Sequence, residues 1–299
     1  MKRYRLSQPF FWIVFLLASF ASVATAREIG PIVSPGWLEA NLDQPQLVIL
    51  DVRRVEHYRE GHIPKALNAF YGAWAYKKGE LYSEVPDPED LNDLIGSMGI
   101  GLDSRVVVVG RTDTPRESYQ CARVACTLQY AGIRNVALLD GGMNQWVKEN
   151  KPISTTVIQA KKRSFQGNYQ KDRFADKGYI KARLGKIILL DVREADYFAG
   201  KKKLDCVPRM GHMPGAFNLP TSCAFNDNGT FKRKESLTMI AESAAGKDRT
   251  KEIVTYCDTG QCCPTWSYLL REMLGYENVR IYDGAMQEWM QDPQAPTVR

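Results

Sequence analysis

The sequence predicts two tandem α/β domains, each a mainly parallel sheet flanked by helices, and three observations carry that prediction. The first is an internal repeat. Leu47-Val-Ile-Leu-Asp-Val-Arg53 returns as Ile187-Ile-Leu-Leu-Asp-Val-Arg193, and Gly61-His-Ile-Pro-Lys-Ala66 returns as Gly211-His-Met-Pro-Gly-Ala216, with Asn68 and Asn218 two residues on. Val136-Ala-Leu-Leu-Asp-Gly141 returns as Val279-Arg-Ile-Tyr-Asp-Gly284, and Trp146 and Trp289 follow in turn. Blocks in one order at nearly constant spacing mark a duplicated unit. The second observation is the run type. Short, mostly apolar stretches at 47–51, 105–109, 136–139, 187–191, 252–256 and 279–282 fit strands buried on both faces, as in a parallel sheet. The third is what lies between them: segments 116–131 and 264–275 are long enough for crossover helices.

The chain divides accordingly. Residues 27–155 form the first unit, 156–178 a linker carrying Lys161, Lys162, Arg163 and Lys171 without a strong apolar period, and 179–299 the second unit. Residues 1–26 read as a secretory signal. Lys2, Arg3 and Arg5 precede an apolar run from Phe10 to Ala24, and Ala24-Thr25-Ala26 offers small residues for cleavage. The run is shorter than the roughly 20 residues of a spanning helix, so cleavage near Arg27 is favoured over an anchor. The expected compartment is outside the cytoplasm, most simply a bacterial periplasm, with no membrane attachment after processing.

Composition excludes several classes. Hydrophobic residues make up 44% and charged residues 25% of the 299, which fits a folded protein rather than a disordered one. The net charge of +6 owes half to the removable basic start, and the rest is scattered, so nucleic acid is not an expected partner. Three histidines, His57, His62 and His212, without a Cys-x-x-Cys pair, give no metal-site spacing, and no cofactor is expected. His62 and His212 precede prolines in the repeated element and read as turn residues.

Seven cysteines leave at least one thiol over in an oxidising compartment, and three of them crowd into one loop. The run Glu252-Ile-Val-Thr-Tyr-Cys257 leads through Asp258, Thr259, Gly260, Gln261, Cys262 and Cys263 to Pro264, which suits the first turn of a helix. A thiol placed between a strand end and a helix start meets free backbone N–H groups that stabilise its anion. Such a sulfur is a candidate nucleophile. It attacks the outer sulfur of a donor, holds it as a persulfide, and passes it on. Cys262 and Cys263 are candidate redox partners, or a vicinal soft-metal pair, or small loop residues. Cys206 and Cys223 are candidates for a disulfide. Lys201, Lys202, Lys203 and Arg209 form a charge run that could lie near the cleft.

The ordered set of Asp-Val-Arg, Gly-His-Met-Pro-Gly-Ala, a cysteine-ended strand with its loop, and Tyr-Asp-Gly resembles the rhodanese domain, in the tandem form of the thiosulfate and mercaptopyruvate sulfurtransferases. The resemblance implies a six-residue active loop, Cys257 to Cys262, with Cys257 catalytic and Arg193 helping to bind an anionic donor. It implies a small sulfur-containing anion as donor, and cyanide, a low-molecular-weight thiol or a protein thiol as acceptor. Asp258 and Thr259 depart from the basic loop of the thiosulfate enzymes, and Tyr197 stands near the second arginine position of the mercaptopyruvate enzymes. The first repeat ends its strand at Gly110-Arg111-Thr112-Asp113, with no cysteine before Cys121 and Cys126, and is expected to be catalytically silent. Rival readings are a thiol-redox module, a sulfur, selenium or soft-metal carrier, and a cysteine phosphatase, which needs an arginine where Cys263 and Pro264 stand.

Overall fold

The computed structural model describes residues 27–299; the signal segment predicted over 1–26 lies outside them. The first repeat comprises β1 (Ile32–Val33), α1 (Pro35–Ala40), β2 (Leu47–Asp51), α2 (Val55–Glu60), β3 (Leu67–Asn68), β4 (Tyr76–Lys78), β5 (Leu81–Glu84), α3 (Pro88–Ser97), β6 (Arg105–Val109), α4 (Pro115–Tyr130), β7 (Asn135–Leu139) and α5 (Gly142–Lys148). The second comprises β8 (Phe174–Ala175), α6 (Lys177–Lys181), β9 (Ile188–Asp191), α7 (Ala195–Phe198), β10 (Phe217–Asn218), α8 (Lys234–Ala245), β11 (Glu252–Tyr256), α9 (Cys263–Tyr268), β12 (Asn278–Tyr282) and α10 (Ala285–Gln291).

Each repeat builds a five-stranded, all-parallel sheet, in the orders β1-β7-β6-β2-β3 and β8-β12-β11-β9-β10. The two orders are the same order repeated. The six apolar runs are the three central strands of each sheet, because helices cover both faces and favour apolar residues on each. Edge strands of two residues carry no such pattern.

Successive residues of a strand point to opposite faces, and the core divides along that alternation. Val106, Val108 and Leu138 of the first sheet share one apolar cluster with Leu190, Ile253 and Ile281 of the second. The outward faces have separate clusters, Ile49, Val107 and Trp146 in one repeat and Leu189, Val254 and Trp289 in the other. Helices α4 and α9 lie between the two sheets, pressed together, so the repeats share one interior. Thr114 caps the start of α4: its hydroxyl accepts from Glu117 N (3.3 Å) and donates to Glu117 Oε2 (3.0 Å), with Pro115 following.

Two expectations need correction. The linker predicted over 156–178 ends earlier, because Phe174–Ala175 pairs with β12 as an edge strand of the second sheet. The segment before it is held against the first repeat, with Phe165 buried and Arg163 N donating to Gly96 O at 3.0 Å. The second correction is the Cys206–Cys223 pair. Both thiols are free, and they lie against opposite faces of the second sheet, Cys206 with Leu189 and Val254, Cys223 with Leu190 and Ile253. A layer of strands separates them, and the bridge cannot close. Among the described residues no helix is long and apolar enough to cross a membrane.

Candidate functional site

Superimposing the hydrogen-bond frames of the repeats fixes the equivalent positions. Arg53 and Arg193 each clamp the aspartate two residues back, Asp51 or Asp191, and each donates to a glycine carbonyl, Gly61 O or Gly211 O, at 2.8 Å. Asn68 and Asn218 tie the same two turns from the neighbouring strand. Val52 N donates to Val109 O as Val192 N does to Tyr256 O, and Met143 N to Gly110 O as Met286 N to Cys257 O. The residue one step past the central strand is therefore Gly110 in the first repeat and Cys257 in the second.

At that step in the second repeat the loop curls back over the thiol. Cys257 is buried, 2% exposed, yet polar groups meet its sulfur. Burial pushes the thiol up. The Cys262 and Cys263 thiols and the backbone amides of the same two residues outweigh it, and the net position is well below the ordinary thiol range. The proton is left on the partners. Cys262 is pushed well up by its hydrogen bond to Cys257 and by burial, and Cys263 by burial and by Cys257. One sulfur is held as the anion by two that stay protonated.

Gly260 makes the curl possible. Its φ is +74°, in the left-handed region, and a Cβ there would stand 2.6 Å from Asp283 O. Asp258 turns away from the sulfur to meet Arg193 Nη1 (3.1 Å), and its backbone carbonyl accepts from Gln287 N (2.9 Å). Burial raises its carboxyl, Arg193 lowers it only in part, and it comes to rest at about 6. Thr259 of the loop is half-buried. Gln261 Nε2 is buried without a hydrogen-bond partner. Cys262 sits just ahead of α9 and Cys263 opens it.

Arg193 differs from the expectation of a donor-binding side chain. It is 4% exposed, and Asp191, Gly211 O and Asp258 occupy Nε, Nη1 and Nη2. Its geometry is that of a strut that ties Asp258 to the sheet. Arg209 likewise points away from the loop, donating to Asp292 O and Ala295 O near the C-terminus, and Lys201 and Lys202 pair with Asp196 at the surface.

The first repeat supplies residues that the sequence reading did not single out. Arg123 of α4, fully buried, donates to Gly260 O (3.1 Å) and grips both carboxylate oxygens of Asp283. Hairpin β4–β5 reaches over α10: Tyr82 and Gln287 exchange two hydrogen bonds (2.8 and 2.9 Å), and Val85 N donates to Asp283 Oδ2 (2.7 Å). Glu84 at the end of that hairpin is pushed up to about 8, by burial first and by Asp283 second. Tyr71 and Tyr119 bring two phenols within the electrostatic reach of Cys257, and both are raised, chiefly by burial. Asp283 belongs to the repeated Asp-Gly element, a usable signal. An arginine on the buried face of a helix is a second.

The matching position in the first repeat has no thiol. A Cβ on Gly110 would stand 2.6 Å from Cys121 Sγ, so the sulfur of α4 fills the space a side chain would need. Burial pushes Cys121 up to about 12, an inert thiol.

Fold and site together define a tandem α/β protein with one reactive cysteine loop in its second repeat. Residues 34–149 and 176–292 each match the Rhodanese-like domain model, and the chain belongs to the rhodanese family. A Mycobacterium leprae protein provisionally named a thiosulfate sulfurtransferase is 32% identical over 273 residues, covering 86% of this chain and 94% of its own. The sulfur carrier protein TtuD of Thermus thermophilus is 30% identical over 275 residues, with coverages of 86% and 93%. Among solved structures, the 3-mercaptopyruvate sulfotransferase SseA of Escherichia coli superimposes with a TM-score of 0.74 at 22% identity, over 86% of this chain and 99% of SseA. EanB does so at 0.80 and 21%, over 89% of this chain and 68% of EanB. At those identities the two structures speak to the fold.

Proposed function

We propose that the protein is a sulfurtransferase that carries a sulfane sulfur on Cys257. The observation that carries this reading is the buried thiol ringed by the amides and thiols of Cys262 and Cys263. The Cys257 thiolate attacks the outer sulfur of a donor such as thiosulfate, the S–S bond of the donor breaks, and sulfite leaves with the bonding pair. The product, Cys–S–S⁻, keeps its negative charge among the same donors. An acceptor nucleophile, cyanide or a thiolate, then takes the outer sulfur and restores the thiolate. The names of the mycobacterial relative and of TtuD support this class of chemistry. Arg123, Gly260 and Asp283 position the loop, and the first repeat walls the site without reacting.

The test follows thiocyanate from thiosulfate and cyanide, together with the intact mass of the protein. Wild type turns over and gains about 32 Da, one sulfur atom, on exposure to donor, whereas Cys257→Ser does neither. A Cys257→Ser protein that still loads sulfur refutes the assignment.

The contact of Cys257 with two further thiols favours one second reading, a dithiol–disulfide cycle between Cys257 and Cys262. That reading calls for a titratable disulfide and no turnover with any sulfane donor. We further propose export to a bacterial periplasm. The basic, apolar and small-residue sequence of 1–26 supports it, and a chain that stays in the cytoplasm with residues 1–26 attached refutes it.

A further inference from the structure

The first repeat keeps a pocket where the second keeps its reactive site. Arg53, Arg54, His57, Phe70, Tyr71, Arg111 and Arg116 line a cavity of about 350 Å³ at the carboxyl end of β2 and β6. Its residues occupy the positions that surround the reactive loop in the other repeat. By the shared hydrogen-bond frame Arg54 stands where Glu194 stands, each at the residue just before the helix that follows the arginine strut. Tyr71 matches Thr221, their amides donating to Val52 O and Val192 O. Arg111, one residue past Gly110, matches Asp258. Two acids at the mouth of the second repeat are thus two arginines at the mouth of the first.

The charges are only partly spent. Arg53 is committed to Asp51 and Gly61 O. Arg111 pairs with Asp113, lies 3.7 Å from Glu117, and comes within 3.3 Å of His57 Nε2. Arg54 and Arg116 are exposed and take no ion pair or hydrogen bond from a side chain among the described residues. Among the described residues Glu117 is the only acid on the lining, and it is already engaged by Thr114 and Arg111. Tyr71 is 8% exposed, and its hydroxyl has Arg123, Ser83, Asp283 and Cys257 within reach. Guanidinium forks around a pocket recognise oxyanions bidentately.

We infer that the first repeat's pocket is an oxyanion site, which holds a small divalent anion of the sulfate, sulfite or thiosulfate type beside the reactive repeat. Arg54 and Arg116 close on the anion from the rim and Arg111 from the floor of the loop. The site uses the degenerate half of the duplication for binding after it has lost its nucleophile. It does not depend on Cys257.

The test is a calorimetric titration with sodium sulfate, which cannot donate sulfur, against a chloride background at fixed ionic strength. Saturable one-to-one binding is expected for wild type and, unchanged, for Cys257→Ser. Arg54→Ala/Arg116→Ala, two surface changes whose melting temperature should match wild type, is expected to bind at least ~10-fold more weakly, about one charge-assisted hydrogen bond's worth. Absence of saturable binding in wild type overturns the inference, as does a double variant that binds like wild type. Loss of binding in Cys257→Ser also overturns it, because the anion then sits on the reactive loop. A protein that fails to transfer sulfur yet binds sulfate through Arg54 and Arg116 refutes the proposed function and leaves this site standing.

Discussion

Removing Arg123 tests the account of how one repeat holds the reactive loop of the other. The side chain is fully buried and makes three contacts, two to the Asp283 carboxylate and one to Gly260 O. Arg123→Met preserves much of the volume and removes the charge and every donor. Asp283 then keeps a single partner, Val85 N, and Gly260 O keeps none from this side chain. Stranding one member of a buried pair costs about 3–5 kcal/mol; the surviving Val85 bond places this case near the lower end, ~3 kcal/mol. At roughly 2–4 °C per kcal/mol for a chain of this size, the melting temperature falls by roughly 6–12 °C. Urea unfolding followed by tryptophan fluorescence measures the loss, and Arg123→Met/Asp283→Asn completes the cycle. The double variant removes the orphaned charge and should recover at least ~1.5 kcal/mol relative to the sum of the single changes. A single change costing under ~1 kcal/mol, or a strictly additive double, refutes the claim that this pair fastens the repeats.

Three further outcomes follow from the same geometry. Alkylation of Cys257 by iodoacetamide should titrate well below the ~8.5 of a free cysteine, because the depressed group keeps its thiolate as pH falls; an apparent value at or above ~8.5 sinks the thiolate argument. Gly260→Ala should lose ~1–3 kcal/mol or more and most sulfur loading, since φ is +74° and the new methyl would meet Asp283 O at 2.6 Å; normal loading in that variant contradicts the loop geometry. Glu84, raised to about 8, binds its proton more tightly folded than unfolded, so its contribution favours folding below the unfolded value and is lost as pH rises toward 8. Glu84→Gln should therefore flatten the decline of stability between about pH 4.5 and 8, and an unaltered decline in urea midpoints excludes Glu84 as its source.

The central strands were legible because burial on both faces writes itself as continuous Val, Ile and Leu, and the repeat doubled every signal. Strands of two residues, such as Phe174–Ala175, hold too little sequence for a period to appear, and the linker was drawn through one of them. The reactive cysteine could be read because a strand end, a glycine and a proline-led helix are local features. Arg123 could not, since its partners are 137 and 160 residues away in the chain and meet it only after the repeats pack. Arg193 was misplaced for a related reason: the Asp-x-Arg spacing shows a charged pair but not how many of its hydrogens the turn and Asp258 consume. The Cys206–Cys223 pairing failed on face parity, because proximity in sequence carries no record of a sheet lying between.

The sulfur of Cys121, lodged where residue 110 would project, has a consequence for ancestry. A mutation restoring cysteine at Gly110 would drive a new side chain into an atom 2.6 Å from its Cβ, while trimming Cys121 alone would leave a hole in a close-packed interior. Each step alone carries a cost that the paired change offsets. The duplication is thereby biased toward two separate trades, even though the scaffolds remain interchangeable in outline.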